Sequence, residues 1–146
     1  MAVQTRTDYT NKAFVLSGEP ATDEAATLLQ DAGRGAVALE EFTLMSQVSA
    51  SGKWVPFTNE AATNGTQIPA GIILATVTGA ELVAGDVVDI PILVGIGITI
   101  DGGQLVIENS KTLATVITDS TLTVKAELRR QGIFTESVID IDGFEN

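Results

Sequence analysis

At 146 residues, 45% hydrophobic and 18% charged, the chain has material for one domain with one modest core. Nineteen acidic against eight basic residues give a formal charge of −11, which leaves too few cations to track a phosphate backbone and the wrong sign for an anionic membrane surface. Cysteine and histidine are both absent, which excludes disulfides, thiolate and imidazole metal sites, cysteine nucleophiles and histidine general bases.

Aromatic residues make up 5% of the chain, so the core has to come from Val, Ile, Leu and Ala. The β-branched members of that set favour a pleated surface, and a β-rich fold is expected. Residues 1–12 are polar and charged with little apolar material, which predicts a flexible N-terminal arm with no secretory leader. Residues 22–30, with their alanines and Leu28 and Leu29, suit a short helix capped by Thr22 or Asp23 and stopped near Gly33. The domain proper is then expected over residues 34–146, with residues 1–33 as arm and lead-in.

Residues 41–48 and 53–57 alternate apolar and polar around a turn at residues 49–52, the pattern of a hairpin. Residues 61–66 read as loop, 71–77 as a strand, 79–85 as a connection, and 86–94 as a strand in which Pro91 marks an edge or a bulge. Residues 96–108 alternate into and out of Asp101, Gly102 and Gly103, which predicts a tight hairpin, because these residues tolerate positive φ. Short strands are expected over residues 113–117 and 122–126. Residues 125–131 favour a helical turn ended by Gly132, and residues 134–141 alternate again. The longest apolar run, residues 90–98, contains Pro91 and is far shorter than the roughly 20 residues of a membrane helix.

Few of these residues carry chemistry. Carboxylates pair at Glu40 and Glu41, Asp86 and Asp89, and Asp140 and Asp142, but the last pair lacks the later ligands of a calcium loop. Gly95, Ile96 and Gly97 lack the third glycine of a dinucleotide fingerprint, and Gly52 with Lys53 lacks the rest of a phosphate loop. Asn64, Gly65 and Thr66 spell a glycosylation sequon, for which a turn is the plainer reading. Ser110 and Lys111 would point to opposite faces of a strand and so form no nucleophile pair. No catalytic group, cofactor or metal is expected. Arg129 and Arg130 are the densest basic spot and suit carboxylates across an interface as well as they suit a helix surface. Trp54 and Phe57 suit a core or a subunit interface.

Residues 52–74 read GKWVPFTNEAATNGTQIPAGIIL: glycine and lysine, an aromatic, Val, Pro, an aromatic, a polar loop, then an apolar Gly-Ile strand. This segment resembles the head-decoration, or capsid-cementing, proteins of tailed phages of the lambda type. Residues 126–134, AELRRQGIF, are similar to the arginine-bearing helix near the C-terminus of the same proteins. The two stretches cover about a fifth of the chain, and neither is catalytic. The resemblance implies a small β-barrel or tulip-like domain with one or two short helices. It also implies a homotrimer on the outer surface of the virion, made in the host cytoplasm, that clamps neighbouring copies of the major capsid protein. In that family the arm orders on the shell, which would make Val3, Thr5, Arg6 and Tyr9 capsid-binding residues and Trp54, Phe57, Arg129 and Arg130 candidates for a subunit or capsid interface. The lead-in over residues 17–37 and the acidic tail after Phe134 depart from the family pattern. Another β-rich virion subunit, of the tail or the head-tail junction, is the alternative.

Overall fold

The hairpin expected around residues 49–52 forms, and a barrel is built outward from it. In the computed structural model, which describes residues 13–94 and 97–137, β3 (Leu44–Gln47) and β4 (Trp54–Pro56) pair antiparallel with Gln47 opposite Trp54. On the other side of β3 lies β5 (Gly71–Ile73), then β6 (Val87–Leu93), then β2 (Thr22–Leu28), which returns to β4 through a parallel contact of Leu28 with Trp54. These five strands close a barrel in the order β2-β4-β3-β5-β6.

Pro91, read as marking an edge or a bulge, lies opposite a bulge in β2. Asp23 faces Ile92 and Ala26 faces Ile90, so β2 holds an extra residue opposite Pro91, which has no N–H to donate. A second bulge lies on β6 itself between the Ala26–Ile90 and Leu28–Val87 pairs, where Asp89 takes a positive φ of 59°. The two irregularities bend a sheet of short strands enough to close.

A second, three-stranded sheet has the order β1-β7-β8: β1 (Val15–Ser17) antiparallel and β8 (Ile133–Glu136) parallel to the central β7 (Ile98–Asp101). Strand alternation divides the apolar residues between two clusters. Leu28, Met45, Trp54, Ile73 and Ile92, one from each barrel strand, fill the barrel and meet Leu82 of α1 (Gly79–Ala84). Their neighbours Leu44, Ile72 and Leu93 face the other way and pack with Ile98, Ile100, Ile133 and Leu128 of α2 (Val124–Arg130). The second sheet therefore covers an outer face of the barrel.

Helices α1 and α2 begin on threonine caps: the Thr78 hydroxyl accepts from Glu81 N at 3.2 Å, and that of Thr123 accepts from Ala126 N at 3.2 Å. Helix α2 ends as expected, with Gly132 at φ 87° just beyond it.

Several expectations are corrected. Residues 22–28 are a strand and not a helix, because pairing with both β6 and β4 outweighs the helix propensity of their alanines. The boundary expected between residues 33 and 34 is therefore no boundary, since β1 and β2 are parts of the two sheets. The connection over residues 79–85 contains α1. The hairpin over residues 96–108 does not form: Gln104 N bonds to Asp101 O in a turn, but the outgoing chain crosses to the barrel, where Val106 bridges Thr43. Of the strands expected over residues 113–117 and 122–126, a single bridge remains, Val116 to Thr123. The alternating tail is strand only to Glu136 within the described residues.

Candidate interaction surface

The two outer strands of the second sheet are the ones that lead to the chain ends. Strand β1 is tied down as far as Ala13, whose carbonyl accepts from Gln104 Nε2 at 3.1 Å. Phe14 is 6% exposed, its carbonyl accepts from Asp101 N, and its ring stacks on Phe42 with centroids 4.1 Å apart. Phe42 holds a φ of 67°, an unusual conformation for a bulky residue, while its N–H bonds to Ile73 O and its carbonyl to Val106 N. The root of the N-terminal segment is thus anchored in the core by an aromatic pair. Val3, Thr5, Arg6 and Tyr9 lie outside the described residues.

At the opposite edge, β8 buries Ile133 and exposes Phe134 at 41%. The Arg129 guanidinium lies 5.8 Å from the Phe134 ring centroid, within cation–π range. Arg130 is 73% exposed and sits 3.6 Å from Glu127, a carboxylate that also accepts from Gln131 Nε2. Both arginines occupy the last turn of α2, where positive charge complements the helix dipole. Structure and sequence agree here that Arg129 and Arg130 are surface residues.

Trp54 and Phe57 are not a surface pair. Trp54 is 4% exposed inside the barrel, whereas Phe57 is fully buried in the outer cluster. They also do not share a face, because they lie three positions apart and an odd offset reverses the face of an extended chain. As interface candidates both are corrected: each belongs to the chain's own core.

Sequence reasoning missed Arg34. Its side chain is 7% exposed, and its guanidinium donates to both oxygens of Glu108, at 2.9 and 3.3 Å, and to the carbonyls of Val37 and Ala38, with Asp31 at 3.8 Å. Glu108 lies 74 positions away, and no local pattern links the two. Arg34, Asp31 and Glu108 form the charged side of a cleft of about 320 Å³ whose apolar side includes Leu28, Trp54 and Leu82. With one arginine between two carboxylates, the charged side of the cleft carries a formal charge of −1.

Other candidate groups resolve as structure. Asn64 Oδ1 accepts from Thr66 N and Oγ1, which makes that motif a turn. Asn109 and Ser110 both take positive φ, so Ser110 lies in a turn and not on a strand. Asp140, Asp142, Gly95 and Ile96 lie outside the described residues. Among the described residues no group of three or more acidic side chains could hold a metal ion, and no helix is long and apolar enough to cross a membrane.

Lys53 and Asp86 tie the β3–β4 hairpin to the start of β6. The ammonium and the Gln30 N–H, 2.8 Å from Asp86 Oδ1, hold the Asp86 carboxyl below its ordinary value of 3.8. A carboxyl lowered on folding contributes stability above its unfolded pKa, and this is lost as the pH falls through the lower folded value. In Lys53→Met the titration of Asp86, followed by carboxyl NMR, is expected to move up towards 3.8. An unmoved midpoint would assign the depression to the Gln30 amide alone.

No protein-family model matches this chain, and no curated protein matches it either.

Proposed function

We propose that this chain is a non-catalytic structural protein that binds the outer surface of a phage head as a trimer and stabilises the expanded capsid lattice. The position of β1 carries the reading. It is an outer strand of its sheet, rooted by the Phe14–Phe42 stack, and the residues that precede it are those the family resemblance assigns to capsid binding. A segment leading out of an edge strand is suited to pair with strands of another protein, since backbone hydrogen bonds supply affinity without a preformed pocket. The closed β-barrel with, among the described residues, two short helices supports it, being the kind of fold that the resemblance implies. The charge of −11 fits an abundant protein that remains soluble until it meets its lattice.

Purified protein mixed with expanded, undecorated heads is expected to appear in cryo-electron images as protrusions at three-fold or quasi-three-fold positions. Bare heads at saturating protein would overturn the reading. Density confined to the tail or the portal vertex would favour a tail or head-tail subunit, because decoration copies scale with head surface.

A further inference from the structure

The turn at Asn64 and Gly65 also carries a reaction. It holds the chain's only asparagine followed by glycine, the pair in which the next backbone nitrogen reaches the side-chain carboxamide with least hindrance, because glycine has no Cβ. Packing explains why glycine stands there. Its φ is 97°, and a Cβ at this position would run into Gln47 O and Ser49 Oγ of the β3–β4 hairpin. Asn64 is held to the same hairpin through its own carbonyl, which accepts from Ser49 N at 2.8 Å. The fold thus demands a chemically labile pair, with Asn64 exposed to water.

Hydrogen bonds act on the two reacting groups in opposite directions. Asn64 Oδ1 accepts from Thr66 Oγ1 at 2.7 Å and from Thr66 N at 3.3 Å, two donors that stabilise the negative charge this oxygen takes on when Cγ is attacked. The electrophile is primed. The Gly65 N–H is donated to Gln67 Oε1 at 2.9 Å, although attack requires that nitrogen to lose its proton and turn towards Asn64 Cγ. An amide oxygen accepts such a proton in a hydrogen bond but is too weak a base to remove it.

We propose that Asn64 is a site of spontaneous deamidation gated by Gln67. When the gate opens, Gly65 N gives its proton to hydroxide and bonds to Asn64 Cγ, the Cγ–Nδ2 bond breaks, and Nδ2 takes a proton from water and leaves as ammonia. Water then opens the cyclic imide at either carbonyl and yields aspartate or isoaspartate, so water is consumed, ammonia is released and nothing is oxidised or reduced. Isoaspartate routes the main chain through Cβ and Cγ, and the carbonyl that accepted from Ser49 N becomes a free carboxylate. The turn then loses its seat on the hairpin. This inference is independent of the capsid reading.

Incubation at mildly alkaline pH, with isoaspartate at residue 64 followed by peptide mapping and the fold by circular dichroism, tests the gate. The folded protein is expected to deamidate far more slowly than the same chain in urea. Gln67→Met keeps the length of the side chain and removes the acceptor, and is expected to react at least roughly fivefold faster than the parent, the factor carried by one net hydrogen bond. Gln67→Glu supplies a stronger, charged acceptor and is expected to be no faster than the parent. Equal rates in the folded and unfolded chain would overturn the proposal, as would a folded Gln67→Met that reacts at the parent rate. Should Gln67→Met fail to fold, Gln67→Glu still decides, since a rate above the parent's would overturn the gate.

Discussion

A chain lacking residues 1–12 is expected to leave expanded heads bare while keeping the fold and the oligomeric state of the full chain. The removed segment precedes Ala13 and Phe14, the first residues held by Gln104 and by the stack on Phe42, so the cut spares every contact described for the body. The loss in binding should be large. A backbone hydrogen bond contributes about 1 kcal/mol net. Three such bonds per arm would make roughly a hundredfold difference in affinity, and three arms on one trimer act together through effective concentration. Head occupancy counted from images, beside the scattering mass of the free protein, reads the two effects separately. Unchanged occupancy would place the capsid contact on the folded body and remove the role assigned to Val3, Thr5, Arg6 and Tyr9.

Arg34→Ala is expected to lower the unfolding free energy by about 3 kcal/mol, because it removes one partner of a largely buried ion pair. The arginine donates to both oxygens of Glu108 and to the carbonyls of Val37 and Ala38. Its loss leaves two backbone acceptors and a carboxylate without their donor, and an unsatisfied buried group costs about 1–3 kcal/mol. Glu108 is 27% exposed, so water recovers part of the charge and keeps the loss near the lower end of the range for buried pairs. Urea denaturation would show the change as a lower midpoint at constant slope. R34M/E108M should recover part of it, since an apolar pair of similar volume leaves no stranded charge, though the two carbonyls remain unpaired. A loss for Arg34→Ala below about 0.5 kcal/mol would mean that the pair behaves as a surface salt bridge.

The Arg34 pair also shows where the sequence becomes silent. A lone arginine between Gly33 and Gly35 gives no sign that it will be buried, and its partner arrives only through the crossing of residues 105–108 to the barrel. That crossing defeats the hairpin expected over residues 96–108 as well. Alternation around Asp101 and Gly102 correctly located the turn, but a turn does not decide which strand the outgoing chain joins. Thr43, reached through a single bridge to Val106, is more than fifty residues upstream. Residues 22–28 fail for the complementary reason. Their alanines are good helix formers, and only the two neighbouring strands, β4 and β6, make the extended form the stable one. Trp54 and Phe57 were recognisable as large buried anchors, yet their division between two clusters required knowledge that the barrel has an inside and a covered outer face.

By itself the sequence determined the class of the fold, the hairpin at residues 49–52, a break in regular pairing at Pro91, the helix ending before Gly132 and the exposure of Arg129 and Arg130. All of these rest on local properties: β-branched composition, period-two alternation, a missing N–H, a permissive glycine and charge. It determined equally that any histidine or cysteine chemistry is excluded, because those residues are absent. Only the tertiary structure decided that residues 15–28 belong to the folded body, that β2 closes the barrel, and that β1 and β8 are the outer strands of one sheet. Those outcomes depend on pairings between distant residues, whose free energy is gained only when the whole sheet assembles and leaves no trace in a local window.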